Sequence, residues 1–340
     1  MTTILCTLYN SLYLDKGLVL YDSLCECARD FKLYVLCMDD KCFDVLTRMN
    51  QANHIPVRLA DFESGDGELQ EAKTNRSVGE YCWTCSSSFI RYIFKHYGEE
   101  NCTYIDADMF FYNDPKVLID EMLEAGKSVL VVPHRFPEKN KEMAQKVGSY
   151  CVEFNTFLNT PESLDVLEYW RTRCLECCSN LGDGIHWGDQ KYLDELVEKF
   201  ENVHVCKNYG AGIAPWNLSL YKSVGNGKLV FVEDNVVCTA VFYHYQGITN
   251  INRSLFVLGV EKPRFARGKD LIELFYRGYL KRIQHCKYRL AEYYGVEEII
   301  MGHPAKRHHL VSLKKTAIGG FMYYIYLSLF CKVSTMKVPL

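Results

Sequence analysis

TYIDADMFFYND (103–114) sets two carboxylates, Asp106 and Asp108, on either side of one alanine at the end of an apolar run. Side chains alternate along a strand, so both acids are expected on one face and Ala107 on the other. Like charges that close repel unless a proton or a cation sits between them. The pair is therefore either a costly arrangement or a site for something positive. Asp114 and Pro115 suit the capped start of a following helix, which puts the acids at the carboxyl end of a strand, where open α/β sheets take their ligands.

Working outward, TILCTLY (3–9), KLYVLCMD (32–39), CTYIDAD (102–108) and SVLVVPH (128–134) are short apolar runs, most of them separated by stretches of helical spacing. This alternation predicts an α/β domain with a largely parallel sheet. FNTFLNT (154–160), VHVC (203–206) and AVFYHYQG (240–247) read as further strands, and 161–180 and 188–200 as helices. No boundary is evident before residue 262, so the chain divides into a domain over 1–261 and a helical extension over 262–340.

With 340 residues, 48% of them hydrophobic, the chain can build a substantial core. MTTILCTLYNSLYLDKG has no basic region ahead of its apolar run, so a cytoplasmic location is expected. Sixteen cysteines without regular spacing fit reduced thiols buried as small core residues. Cys82 with Cys85 and Cys174 with Cys177 form two CxxC pairs, but each sits in a helical segment, and a zinc site is the lesser reading.

Charge is uneven. Residues 1–261 carry 24 basic and 37 acidic side chains, net −13, whereas 262–340 carry 15 and 5, net +10. Ile272, Phe275, Tyr279, Ile283 and Leu290 share a helical face edged by Arg277, Lys281 and Arg282, the pattern of a basic amphipathic helix. TAIGGFMYYIYLSLFC (316–331) is apolar and aromatic but shorter than the roughly twenty residues of a spanning helix. Such an end seeks anions, and an anionic membrane surface, not nucleic acid, is the expected partner; a helix docked on the core is the alternative.

An α/β sheet of this kind often binds a nucleotide, yet neither GxGxxG nor GxxxxGK[ST] occurs. A divalent cation on Asp106 and Asp108 would neutralise a diphosphate instead. TYIDADMFFYNDP resembles the metal-binding motif of the GT-A glycosyltransferases, and other segments resemble their glycogenin-like branch, glycosyltransferase family 8, and bacterial nucleotide-diphospho-sugar transferases. TLYNSLYLDKGLVLYDSL (7–24) is similar to the first strand and nucleoside loop, GDQKYLDEL (188–196) to the Asp-Gln helix start, and FYHYQG (242–247) to the segment whose histidine completes the metal site. The resemblance covers about residues 3–250, with the motifs in the family's order.

The resemblance implies a GT-A fold, Rossmann-like, with a mixed, mainly parallel sheet, flanking helices and the helical extension. It implies metal ligands Asp106, Asp108 and His244, donor contacts at Thr7, Tyr9, Asn10, Tyr13, Arg91, Asp106, Ala107, Asn155 and Gly247, and Asp189 and Gln190 near the reacting carbon. The set of two carboxylates and one imidazole suits Mn²⁺, with Mg²⁺ the alternative. The expected activity is transfer of a sugar, with retention, from a UDP-sugar to a glycan or lipid-linked acceptor in bacterial surface polysaccharide synthesis. One departure stands out: the family's lysine shortly after the histidine and glycine is absent from GITNINR. GAGIAPWNL (210–218) is expected to shape the acceptor side. A sugar-phosphate nucleotidyltransferase and a non-catalytic binding protein of the same fold remain as alternatives.

Overall fold

The computed structural model describes residues 1–179, 187–250, 254–261, 267–299 and 333–338. Eight strands open the chain: β1 (Thr3–Tyr9), β2 (Phe31–Cys37), β3 (His54–Arg58), β4 (Asn101–Ile105), β5 (Met109–Phe111), β6 (Val129–Pro133), β7 (Tyr150–Leu158) and β8 (Val203–Val205). Seven of them form the central sheet in the order β3-β2-β1-β4-β7-β6-β8. All pairs are parallel except those of β7, which runs antiparallel to both β4 and β6. The expected mixed, mainly parallel α/β architecture is thus observed.

Burial of β1 explains its sequence. Leu5 and Tyr9 face one core and Ile4 and Cys6 the other, so a strand covered on both sides reads as a continuous apolar run. The second core is closed by the long helix Val78–Tyr97, which starts on a capping box of Ser77 and Glu80 and ends at Gly98 with φ 66°. From β1 the chain lays β2 and β3 on one side and then crosses to place β4 on the other. The carboxyl ends of β1 and β4 therefore flank the point where the winding reverses, the usual position of a ligand crevice.

After β8 the chain builds a hairpin sheet of β9 (Tyr221–Gly225), β10 (Lys228–Phe231) and β11 (Val236–Thr239), then β12 (Phe242–His244), which pairs antiparallel with β5. A third small sheet combines β13 (Thr249–Asn250), β14 (Leu255–Glu261) and β15 (Val333–Lys337). The end of the chain thus returns to the body, where Val338 donates to the Ser254 carbonyl at 2.8 Å.

The amphipathic helix Gly278–Tyr294 is present, but its apolar face is occupied. Phe275, Tyr279, Ile283 and Leu290 are buried in the same core as β1 and the first helix, Leu14–Cys27. Tyr279 stacks on Tyr245 at 3.7 Å, Phe275 stacks on Tyr243 at 4.5 Å, and the Tyr245 hydroxyl donates to the Phe275 carbonyl at 2.8 Å. Two of its cations meet acids of the body, Arg282 binding Glu26 and Lys287 lying 3.5 Å from Asp15, while Arg277 pairs with Glu273 of the extension. That face is not available to a membrane. The apolar stretch 316–331 lies outside the described residues.

Because Phe275 is nearly fully buried against Tyr243 of β12 and Tyr112, Phe275→Ala should destabilise the main unfolding transition by about 3 kcal/mol. Urea denaturation monitors this. An unchanged midpoint would show that the extension unfolds separately from the body.

Candidate functional site

Strand β4 stops at Ile105 and β5 starts at Met109, so Asp106, Ala107 and Asp108 form a turn between strands and not the end of one strand. The expectation that strand alternation brings the acids together is corrected here. Ile105 pairs with Phe154 of β7 while Met109 pairs with His244 of β12, and the chain must turn to change partners. The turn is tied to β7 by the Asp106 amide, which donates to the Glu153 carbonyl at 3.3 Å.

His244 sits between three carboxylates. Its Nε2 lies 3.1 Å from Asp108 Oδ1 and 3.6 Å from Asp106 Oδ2, and its Nδ1 lies 2.7 Å from Glu153 Oε2. The Glu153 side chain is fully buried and that of His244 is 4% exposed. Burial works against a charged imidazole, but Asp108 above all outweighs it, and the His244 pKa stands well above its ordinary value. Asp108 is drawn down to about 2, since His244 and then Lys16 overcome the cost of burial. Asp106 is pushed up to about 6 by burial, with His244 opposing and Asp108 and Glu153 adding repulsion. Protonated, the ring donates to carboxylates from both nitrogens.

The other expected site residues divide. Tyr13 is 41% exposed, with the Lys16 ammonium 4.0 Å from its ring centre, and Lys16 Nζ in turn lies 4.0 Å from Asp108 Oδ2. Asn10 receives the Leu12 amide at 3.1 Å and caps the turn that carries Tyr13. Thr7 is fully buried, and its hydroxyl has no hydrogen-bond partner. Tyr9 is a core residue: its ring occupies the space a side chain at Gly17 would need, 2.4 Å from that Cβ position. Asn155 is buried opposite Tyr104, its amide donating to the Cys151 carbonyl at 3.4 Å and its Oδ1 unpartnered. Ala107 is buried in the turn. Gly247 takes φ 82°, the left-handed region that favours glycine.

Asp189 and Gln190 precede the helix Tyr192–Lys199, whose start carries no side-chain cap. Asp189 does not cap it. Asp189 is buried, with Oδ2 unpartnered and its carbonyl accepting from the Trp170 indole at 2.9 Å. Burial pushes its carboxyl up to about 7, with Ser86 opposing and Asp106 adding repulsion. Gln190 donates to the Val147 carbonyl at 2.8 Å. Arg91 is not brought to this cluster: it is exposed and pairs with Glu168 at 3.1 Å.

Three contributors escaped the sequence reading. Glu153 lies just before FNTFLNT (154–160), and Lys16 lies within TLYNSLYLDKGLVLYDSL without being marked by it. In GAGIAPWNL, Trp216 meets His244 edge to face at 5.5 Å and donates to the His134 carbonyl at 2.9 Å. The Ile213 carbonyl receives the His244 amide at 2.9 Å. This segment therefore backs the metal-ligand candidate directly.

The donor set fits a divalent cation. Two carboxylates and one imidazole nitrogen converge, and Glu153 fixes the ring by accepting from Nδ1, as the outer partner of a ligating histidine does. Among the described residues the group whose ligand atoms all lie within 4.8 Å of one another is instead Cys151, Glu153 and His244. Burial and then Glu153 raise the Cys151 thiol far above its ordinary value, so it stays protonated, and Nδ1 is engaged by Glu153. The Nε2 side is the better cation site. Among the described residues the CxxC pairs form no metal cluster.

No family model matches the chain. Two Bacillus subtilis (strain 168) proteins do: YfnD, 31% identical over 74% of this chain and 80% of its own length, and YfnF, 32% identical over 74% and 84%. The chain belongs to their family. Both relatives are described as uncharacterized, so membership of the YfnD and YfnF family brings no activity with it. Among solved structures, mouse xyloside xylosyltransferase 1 superposes with TM-score 0.47 at 13% identity, covering 73% of this chain and 98% of that one. The galactosyltransferase LgtC gives TM-score 0.46 at 15% identity over 72% and 87%, and GlyE of Streptococcus pneumoniae 0.47 at 12% over 91% and 66%. Superpositions of this quality assign neither reaction nor substrate.

A cation at Nε2 must displace a proton held there by Asp108, so Mn²⁺ affinity should rise with pH through neutrality. Calorimetry across that range tests it, and a pH-independent affinity would exclude Nε2 as a ligand. Glu153→Gln removes the charge that orients the ring and should weaken Mn²⁺ binding by about 10- to 100-fold; unchanged affinity would show Glu153 to be a bystander.

Proposed function

We propose that this protein is a metal-dependent glycosyltransferase of GT-A type that transfers a sugar from a nucleotide-diphosphate donor, a UDP-sugar, to a glycan or lipid-linked glycan. The observation that carries the reading is the convergence of Asp106, Asp108 and His244 Nε2 at the crevice between the carboxyl ends of β1 and β4. The order of motifs resembling glycosyltransferase family 8 supports it, as does the absence of any glycine-rich phosphate loop in the sequence.

In this reading Asp106, Asp108 and His244 hold Mn²⁺ or Mg²⁺, which when bound supplies the positive charge that stabilises the departing nucleoside diphosphate. Tyr13, exposed at the mouth of the crevice, offers a face for the nucleobase. Asp189 Oδ2 and Asn155 Oδ1 are buried acceptors without partners. Such atoms are costly unless a donor reaches them, and the hydroxyls of a sugar are donors of the right kind. An ionised Asp189 would also stabilise oxocarbenium character at the reacting carbon, with the Gln190 amide beside it. Trp216, half-buried against His244, presents a ring to the acceptor side.

The cellular setting belongs to the same proposal. The extension's net charge of +10 over 262–340 suits an anionic surface, and a transferase at the inner face of the cytoplasmic membrane would meet lipid-linked acceptors of surface polysaccharide. No helix among the described residues is long and apolar enough to cross a membrane.

Asp108→Asn keeps the shape of the turn and removes one charge. UDP binding in the presence of Mn²⁺ should weaken sharply, and hydrolysis of the matching UDP-sugar should fall by at least about a hundredfold. Titrations of wild type and variant, each with Mn²⁺ and with chelator, check this. Equal affinity in all four would remove the main support for the assignment.

A further inference from the structure

Among the described residues, Lys16 is the one lysine or arginine whose nitrogen lies within 4.0 Å of either aspartate of the turn. Its side chain is 14% exposed and points inward from the first turn of the helix Leu14–Cys27. Arg135 is committed elsewhere, donating to the carbonyls of Ala211, Cys206 and Asn208, and Arg91 pairs with Glu168 away from the cluster.

Lys16 has not been placed there merely to neutralise Asp108. At 4.0 Å the contact is too long for a hydrogen bond, and His244 Nε2 already faces Asp108 Oδ1 at 3.1 Å. The acid next to Lys16 in sequence is also engaged: Asp15 is buried and lies 3.5 Å from Lys287, itself 7% exposed. A lysine pointing inward beside acids that have other partners keeps ammonium protons for an incoming anion. The ring of Tyr13 beneath the ammonium places that anion next to the exposed aromatic face.

We infer that Lys16 is the protein cation that binds the diphosphate of the donor, joining the phosphate site to the nucleobase face at Tyr13. This rests on the glycosyltransferase reading and adds to it a residue that the sequence motifs did not mark. A cation held by the two aspartates would neutralise Asp108 and leave the Lys16 ammonium for the phosphates. Asp15 and Lys287 hold the loop in place, which gives the extension a share in donor binding.

The test compares UDP with uridine on the full-length protein in Mn²⁺, by calorimetry. Lys16→Gln should weaken UDP by about tenfold or more, the scale of a lost charge-assisted hydrogen bond, and leave uridine within about twofold. Lys16→Arg should restore most of the loss. UDP affinity unchanged in Lys16→Gln, or UDP and uridine weakened by one factor, would overturn the proposal, the second outcome showing that Lys16 only shapes the loop. If Lys16→Gln does not fold, acylation of wild-type lysines read by mass spectrometry replaces it. UDP should protect Lys16 and uridine should not; equal protection would again overturn it. Wild-type protein that binds neither UDP nor uridine would instead remove the donor reading itself.

Discussion

The hydrogen bond between His244 Nδ1 and the buried carboxylate of Glu153, 2.7 Å long, fixes everything around it. A fully buried glutamate is costly unless paired, and here its partner is the ring whose other nitrogen faces Asp108 and Asp106. The imidazole cannot turn without stranding Glu153. Three carboxylates and one imidazole thus form a unit that takes either a proton or a cation at Nε2. The raised pKa of His244 and the lowered pKa of Asp108 are two sides of that choice.

Strand β12 carries the arrangement outward. His244 points to the acids, while Tyr243 and Tyr245 on either side of it point to the extension, where they stack on Phe275 and Tyr279. The Tyr243 hydroxyl also meets that of Tyr276 at 2.9 Å. Glu273–Arg277 winds as a π-helical turn, so the helix delivers Phe275 and Tyr276 together onto this strand. The same extension reaches the first helix through Lys287 and Asp15, one residue from Lys16. A segment whose charge and periodicity suggest an independent membrane module is, over its described part, the buttress of the site.

Much of this was legible in the sequence where pattern and chemistry coincide. Apolar runs at parallel-strand spacing foretell the sheet, and Asp106 and Asp108 do meet His244, which lies 136 residues beyond Asp108. What was not legible depends on partners distant in sequence. That Asp106 and Asp108 lie in a turn follows from a change of strand partner, which no local pattern records. Glu153 looks like a strand boundary because a charge in a central strand is rare, and only His244 makes it tolerable. Tyr9 sits in the nucleoside-loop pattern yet is claimed by Gly17 and the core, while Arg91, at a donor-contacting position by resemblance, finds Glu168 on the surface. Asp189, marked only by resemblance, leaves Oδ2 buried and unpartnered, a feature visible only in three dimensions.

The account stands on where a cation binds relative to the two nitrogens of His244. Anomalous diffraction at the manganese edge, from crystals grown with Mn²⁺ and UDP, locates the ion without reference to activity. The account predicts a single strong peak on the Nε2 side, within bonding distance of Asp106, Asp108 and His244, with the UDP phosphates beside it. A peak on the Nδ1 side among Cys151, Glu153 and His244, or none in crystals that contain UDP, would contradict it.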